Sequence, residues 1–294
     1  MIEHVFGGDW TEDKLTRLSK YLNAYRRIFT TNPNASFLKT WYVDAFAGTG
    51  SRTVSKNEAL AFSLMEETYE DPESSGFRDG SARKALSLDS PFDHYLFIEE
   101  SKKRIAALQD SINRDFPQLA SRCGLQQGDA NTLLCEWCKE RDWRRERAVV
   151  FLDPYGMQVE WNTVQALGAT KGIDLWYLFP LGVARMLTHD GVIEDSWRKR
   201  LTTLFGTSDW EARFYRMDVT PTLFGDRETV QRDATVENIQ SYINERLLTS
   251  FHAVAGSLVL RNSKDSPLFA LCFAASNERG APTAIKIAKS ILKD

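Results

Sequence analysis

Between Trp10 and Thr30, apolar residues recur every three or four positions, at Leu15, Leu18, Leu22, Tyr25 and Ile28. This spacing predicts an amphipathic helix with Thr11 as its cap and Glu12 and Asp13 in its first turn. Asn32-Pro33-Asn34 breaks it. The period then changes to nearly continuous apolar runs: the strand of KTWYVDAFAGTG, HYLFIE at 94–99, CGLQQ at 123–127, AVVFLD at 148–153 and IDLWYLF at 173–179. Helical segments separate these runs, so they predict parallel strands covered on both faces, wound twice as βαβαβ. GSLVLRN at 256–262 and PLFALCFAAS at 267–276 are separated by only residues 263–266. That gap is too short for a parallel crossover and predicts an antiparallel hairpin.

The expected architecture is therefore α/β, a doubly wound, mostly parallel sheet with a C-terminal antiparallel β-hairpin. A helical extension occupies residues 1–39, and the core comprises 40–183 and 251–294. An insertion at 52–93 contains a helical piece at 57–69 and a second short helix led by Ser81. A second insertion, at 184–250, is expected to be mainly helical, to overhang the carboxyl ends of the strands and to serve recognition of substrate or partner.

Composition narrows this picture. The 294 residues are 43% hydrophobic, enough for a sizeable core. Net charge is −3, from 37 basic and 40 acidic residues, so any polyanion site must be local. The scattered Cys123, Cys135, Cys138 and Cys272 fit reduced thiols in the cytoplasm, and no apolar run approaches the length of a membrane span. Cys135-Glu-Trp-Cys138 lacks the second cysteine pair that tetrahedral zinc requires and reads as core packing; no metal site is expected.

The chemistry concentrates at strand ends. DAFAGTG has the Asp-x-Phe-x-Gly-x-Gly form, in which the glycines allow close backbone approach to a ligand. A dinucleotide turn has a third glycine where this chain has Thr53. With the hairpin-closed sheet, this is the Rossmann-like layout of class I S-adenosylmethionine (SAM) methyltransferases, and Asp44, Phe46, Gly48, Thr49 and Gly50 are the candidate cofactor residues. Glu99 ends the second strand and is the candidate for the ribose hydroxyls, its distance from the turn explained by the 52–93 insertion. After the third strand, Asp129 and Ala130 are placed to meet the adenine; in the competing reading Asp129 begins a turn and Asn131 caps the next helix.

VVFLDPYG ends the fourth strand. An exocyclic amine is a poor nucleophile because its lone pair is conjugated into the ring. Two acceptors, the Asp153 carboxylate and the Pro154 carbonyl, suit its N–H groups, and Tyr155 suits stacking on the base. The usual amino-methyltransferase tetrad has a second proline before the aromatic residue, whereas Asp-Pro-aromatic-Gly resembles the turn of tRNA N2,N2-dimethylguanosine methyltransferases. A structural turn, with Gly156 at positive φ, is the alternative. For substrate contact, Trp197, Arg198, Lys199 and Arg200 in the second insertion are the candidates.

FGGDWTEDKLTRLSKYLNAY, DAFAGTG, GSARKAL with PFDHYLFIEES, FLDPYG and the final hairpin together resemble the three-Cys-motif partner protein family, TcmP, over residues 6–182 and 255–290. The Trp-Thr-x-x-Lys-Leu pattern is the most distinctive part. The resemblance implies a SAM-type methyltransferase fold, the usual positions for Glu99, Asp129 and Asp153, and a partner with a three-cysteine, radical-SAM-like motif. The function expected is methylation of a nucleobase amine in DNA or RNA. A small-molecule or protein methyltransferase, and a non-catalytic module docking to that partner, are the alternatives.

Overall fold

A computed structural model describes residues 9–47, 80–222 and 225–293. The helix expected at 57–69, and Gly48, Thr49 and Gly50, lie outside these residues. The chain opens with α1 (Asp9–Thr31), followed by β1 (Lys39–Asp44), α2 (Ser81–Leu86), β2 (His94–Glu99), α3 (Lys102–Asp115), β3 (Cys123–Gln127), α4 (Ala130–Glu140), β4 (Glu146–Leu152), α5 (Trp161–Ala169) and β5 (Ile173–Pro180). The second insertion holds α6 (Asp195–Phe205), α7 (Trp210–Phe214), β6 (Tyr215–Thr222), β7 (Gly225–Arg232) and α8 (Val236–Leu248). The chain then forms β8 (Ala253–Arg261), β9 (Pro267–Ala275) and α9 (Ala281–Lys293).

Seven strands form one sheet in the order β3-β2-β1-β4-β5-β9-β8. The pairs among β1 to β5 are parallel, while β9 runs antiparallel to both β5 and β8. This is the doubly wound sheet with a C-terminal hairpin that the hydrophobic pattern predicts.

Strand alternation sorts side chains between two cores. Tyr42, Tyr95, Phe97, Val149 and Phe151 face the layer that includes Leu18 and Tyr21 of α1, Ala82 of α2, Leu108 of α3 and Ala284 of α9. Val43, Leu96, Ile98, Val150 and Leu152 face the opposite layer, where Leu134 of α4, Val164 of α5, Phe205 of α6 and Ile243 of α8 are buried. β1, β2, β4 and β5 are covered on both faces, as their apolar composition requires, whereas the edge strand β3 leaves Gly124, Gln126 and Gln127 exposed.

Two local expectations change. Thr11 does not cap α1, which begins at Asp9 and contains Thr11 within its first turn. Helices α6, α7 and α8 make up more of the second insertion than strands do, but it also holds a hairpin that the helical expectation omits, in which β6 and β7 pair antiparallel with Tyr215 opposite Arg232. Met217 and Val219 alternate with Arg216 and Asp218 there, a period-2 pattern that the helical reading passed over.

Candidate active site at the carboxyl edge of the sheet

The central pair, β1 and β4, marks where strand order reverses, and the candidate carboxylates gather at the carboxyl ends around it. Asp44 lies level with Phe97 and Phe151 in the neighbouring strands. Glu99 and Asp153 follow those phenylalanines by two residues and continue their parity, toward the layer of α1, α2 and α3. This explains which helix supplies each partner.

Asp44 is fully buried. Its Oδ2 accepts from Ser81 Oγ of α2 at 2.5 Å and from the Tyr42 hydroxyl at 3.4 Å, and its Oδ1 accepts from the Phe46 amide at 3.3 Å. Burial pushes its carboxyl up to about 6; the hydrogen bonds from Ser81, Phe46 and Tyr42 oppose this and the nearby Asp153 charge adds to it. Phe46 itself is half-buried against the α4 and α5 layer. The start of the first turn is fixed by the Ala45 amide, which donates to the Phe151 carbonyl at 3.2 Å, and by the Ala47 amide, which donates to the Ile98 carbonyl at 3.0 Å.

Glu99 is 4% exposed. Its Oε1 accepts from the Ser101 amide at 2.7 Å and from the Arg104 guanidinium at 2.5 Å. Ser101 caps α3 by accepting from the Arg104 amide. Oε2 has no hydrogen-bond partner among the described residues.

Asp129 is the N-cap of α4, accepting from the Thr132 amide at 2.8 Å and its hydroxyl at 2.9 Å. Burial raises its carboxyl, but the Thr132 and Asn131 hydrogen bonds outweigh that and hold it below its ordinary value. Asn131 is not the cap. Its side chain donates to the Gln158 carbonyl at 2.9 Å and accepts from the Glu160 amide and Thr163 hydroxyl, tying the start of α4 to the Asp-Pro-Tyr-Gly turn. Ala130, the first helical residue, is buried beneath these contacts.

Asp153 is half-buried just beyond β4. Its Oδ2 accepts from Lys14 Nζ at 2.5 Å, while Oδ1 has no partner among the described residues. Pro154 is buried, Tyr155 is half-buried with its amide donating to Gln158 Oε1 at 2.9 Å, and Gly156 turns the chain at φ 69°. The turn geometry is thus real and coexists with a carboxylate oxygen that has no partner among the described residues.

Lys14 is the residue that sequence reading missed. It is only 6% exposed, and its ammonium lies 4.8 Å from the centroid of the Trp10 ring, which stacks on Phe269 of β9. The signal was present, since Lys14 occupies the same helical stripe as Leu18, Tyr21 and Tyr25. A lysine on a buried stripe calls for a buried counter-charge.

The four candidate substrate residues do not share a face. They are consecutive in α6, so successive side chains diverge by about 100°. Trp197 packs on the α4 and α5 core, Arg198 pairs with Asp195 and Glu211 at 3.1 Å each, Lys199 is exposed and Arg200 is half-buried. Cys138 packs in the main core, where burial pushes its thiol up to about 12; all four cysteines are free. Among the described residues no helix is long and apolar enough to cross a membrane.

Fold and site together define an α/β protein with a class I methyltransferase sheet and acidic groups around its switch point. No family model matches the chain, and no curated protein matches it. Among solved structures it is similar to protein LPL1258 from Legionella pneumophila (TM-score 0.44, 11% identity, covering 98% of this chain and 92% of that one). It is also similar to a protein assigned as a SAM-dependent methyltransferase from Listeria monocytogenes (TM-score 0.37, 10% identity, 90% and 100% covered). A third is the glycopeptide N-methyltransferase MtfA, solved with SAM and also with sinefungin; the SAM complex gives a TM-score of 0.36 at 11% identity, with 94% and 98% covered. The fold assignment rests on the strand order itself.

Proposed function

We propose that the chain is a SAM-dependent methyltransferase whose acceptor is an exocyclic amine of a nucleobase in DNA or RNA. The observation that carries this reading is shared by Glu99 and Asp153: each carboxylate is fixed through one oxygen, and its other oxygen has no partner among the described residues. A carboxylate anchored through one oxygen and open at the other is a preorganised acceptor for a ligand's N–H or O–H groups. The residues present fit SAM on this ground. Glu99 Oε2 would take the ribose hydroxyls, Asp129 and the Ala130 amide the adenine edge, and Asp44 with the turn from Phe46 through Gly48, Thr49 and Gly50 the amino-acid portion.

Bound SAM supplies an electrophilic methyl group. The chain's own residues orient the nucleophile: Asp153 Oδ1 and the Pro154 carbonyl accept the amine's N–H bonds, and Tyr155 holds the ring plane. Held in this way, the amine's lone pair would be presented to the methyl group, and the proton shed by nitrogen would pass to water.

The resemblance to the TcmP family supports membership of that family and a radical-SAM-like partner, and the four free cysteines support a cytoplasmic setting. A second reading, a non-catalytic module docking to that partner, is favoured by the Lys14 ammonium seated on Asp153. Calorimetric titration with SAM and S-adenosylhomocysteine, with Asp44→Ala/Glu99→Ala as control, separates the two. Saturable binding lost in the control supports the enzyme, and absence of binding by the folded protein refutes it.

A further inference from the structure

We propose that Lys14, on the N-terminal helix, is a positioning residue of the acceptor subsite: its ammonium fixes the Asp153 carboxylate so that Oδ1 meets the acceptor amine. This rests on the methyltransferase reading of the same edge. Three observations support it. The contact is 2.5 Å between groups whose side chains are 7% and 22% exposed, so bulk solvent does not dissolve the pair. The ammonium is further confined by the Trp10 ring, itself stacked on Phe269, which faces Pro180 at the end of β5. Trp10 and Lys14 thereby bring the first turns of α1 over the working edge of the sheet.

The third observation is that α1 has ample attachment without this pair. The Tyr21 hydroxyl donates to Asp174 at 2.6 Å, Arg17 donates to the Ile291 carbonyl and Arg26 donates to Thr40 Oγ1. Leu18, Leu22 and Tyr25 are buried in the sheet-facing core. Replacing a buried ion pair by apolar residues is often neutral for stability, so an ammonium at this position is poorly explained by docking alone. Its specific effect falls on Asp153. Without Lys14, that side chain has no anchor among the described residues and is free to change rotamer.

The test uses the full chain in five forms: native, Lys14→Met, Lys14→Arg, Asp153→Asn, and Lys14→Met combined with Asp153→Asn. SAM binding is read by calorimetry, and transfer of labelled methyl from SAM is read in single turnovers with total RNA and with denatured DNA. SAM affinity is expected to stay within about threefold throughout, while Lys14→Met slows transfer by roughly 30- to 100-fold, the scale of one misplaced transition-state acceptor. Lys14→Arg is expected to recover most of that loss. The double variant is expected to be no slower than Asp153→Asn, because both act through one carboxylate. Lys14→Gln replaces Lys14→Met should the latter not fold.

Full-rate transfer by Lys14→Met, independent losses in the double variant, or loss of SAM affinity in Lys14→Met would each overturn the assignment. The underlying reading fails differently. Native protein that binds no SAM, or that binds it and labels neither nucleic acid, removes that reading and this assignment with it.

Discussion

Asp44→Asn is expected to make the protein more stable at neutral pH while weakening SAM binding. The carboxyl is fully buried, and burial moves it from an ordinary 3.8 to about 6. A raised acid binds more protons in the native state than in the unfolded chain across that interval, so native stability falls as pH rises from about 4 to about 6. The gap corresponds to about 3 kcal/mol above that window. Asparagine carries no charge to desolvate and its oxygen still accepts from Ser81. Losing the acceptor for the Phe46 amide returns about 1 kcal/mol. The expected net gain is about 2 kcal/mol near pH 7.5, or about 4 °C in a chain of this size. Below about pH 4 the gain disappears and the lost hydrogen bond leaves the variant slightly weaker. Asp174, also pushed up to about 6 by burial, is common to both proteins and cancels in the difference. Thermal unfolding of both proteins across this range gives the difference curve, and SAM calorimetry gives the functional side. A variant less stable than native at neutral pH, with a flat difference curve, would refute the reasoning.

Three further outcomes follow from the same edge. Glu99→Gln keeps an acceptor for the Ser101 amide but loses the charge paired with Arg104; SAM affinity should fall about 10- to 100-fold in calorimetry, with folding intact by circular dichroism. Asp129→Ala should cost about 1 kcal/mol in denaturant unfolding through the lost cap, while Asp129→Ser restores the cap and stability but not SAM affinity. If Lys199 and Arg200 contact phosphates, Lys199→Ala/Arg200→Ala lowers the slope of log affinity against log salt by about 2 in an anisotropy titration with single-stranded RNA; an unchanged slope removes α6 from the interface.

Local pattern was enough to read the parallel strands because strands covered on both faces cannot avoid a continuous apolar signature. Strand parity made the acidic edge legible too, since Asp44, Glu99 and Asp153 each stand two residues past a buried aromatic, Tyr42, Phe97 or Phe151. What escaped was information carried between segments. The Lys14–Asp153 contact joins residues 139 apart in sequence, and no local window contains both. The run Trp197 to Arg200 looked like a patch because adjacency in sequence was taken for adjacency in space, which a helix denies. The β6–β7 hairpin was passed over because its apolar members, Met217 and Val219, are exposed and alternate weakly among charges.

Methyl transfer moves positive charge from sulfur to the acceptor nitrogen, and this frames what Lys14 contributes. An Asp153 carboxylate near the nitrogen favours that movement, whereas an ammonium 2.5 Å from the same carboxylate cancels part of its field. If field strength limited the rate, Lys14 would be a handicap and Lys14→Met would accelerate transfer. If direction limits it, the fixed orientation of Oδ1 outweighs the lost field, because a preorganised acceptor avoids reorganisation at the moment of reaction. The sign of the Lys14→Met effect on single-turnover transfer therefore decides between field and direction.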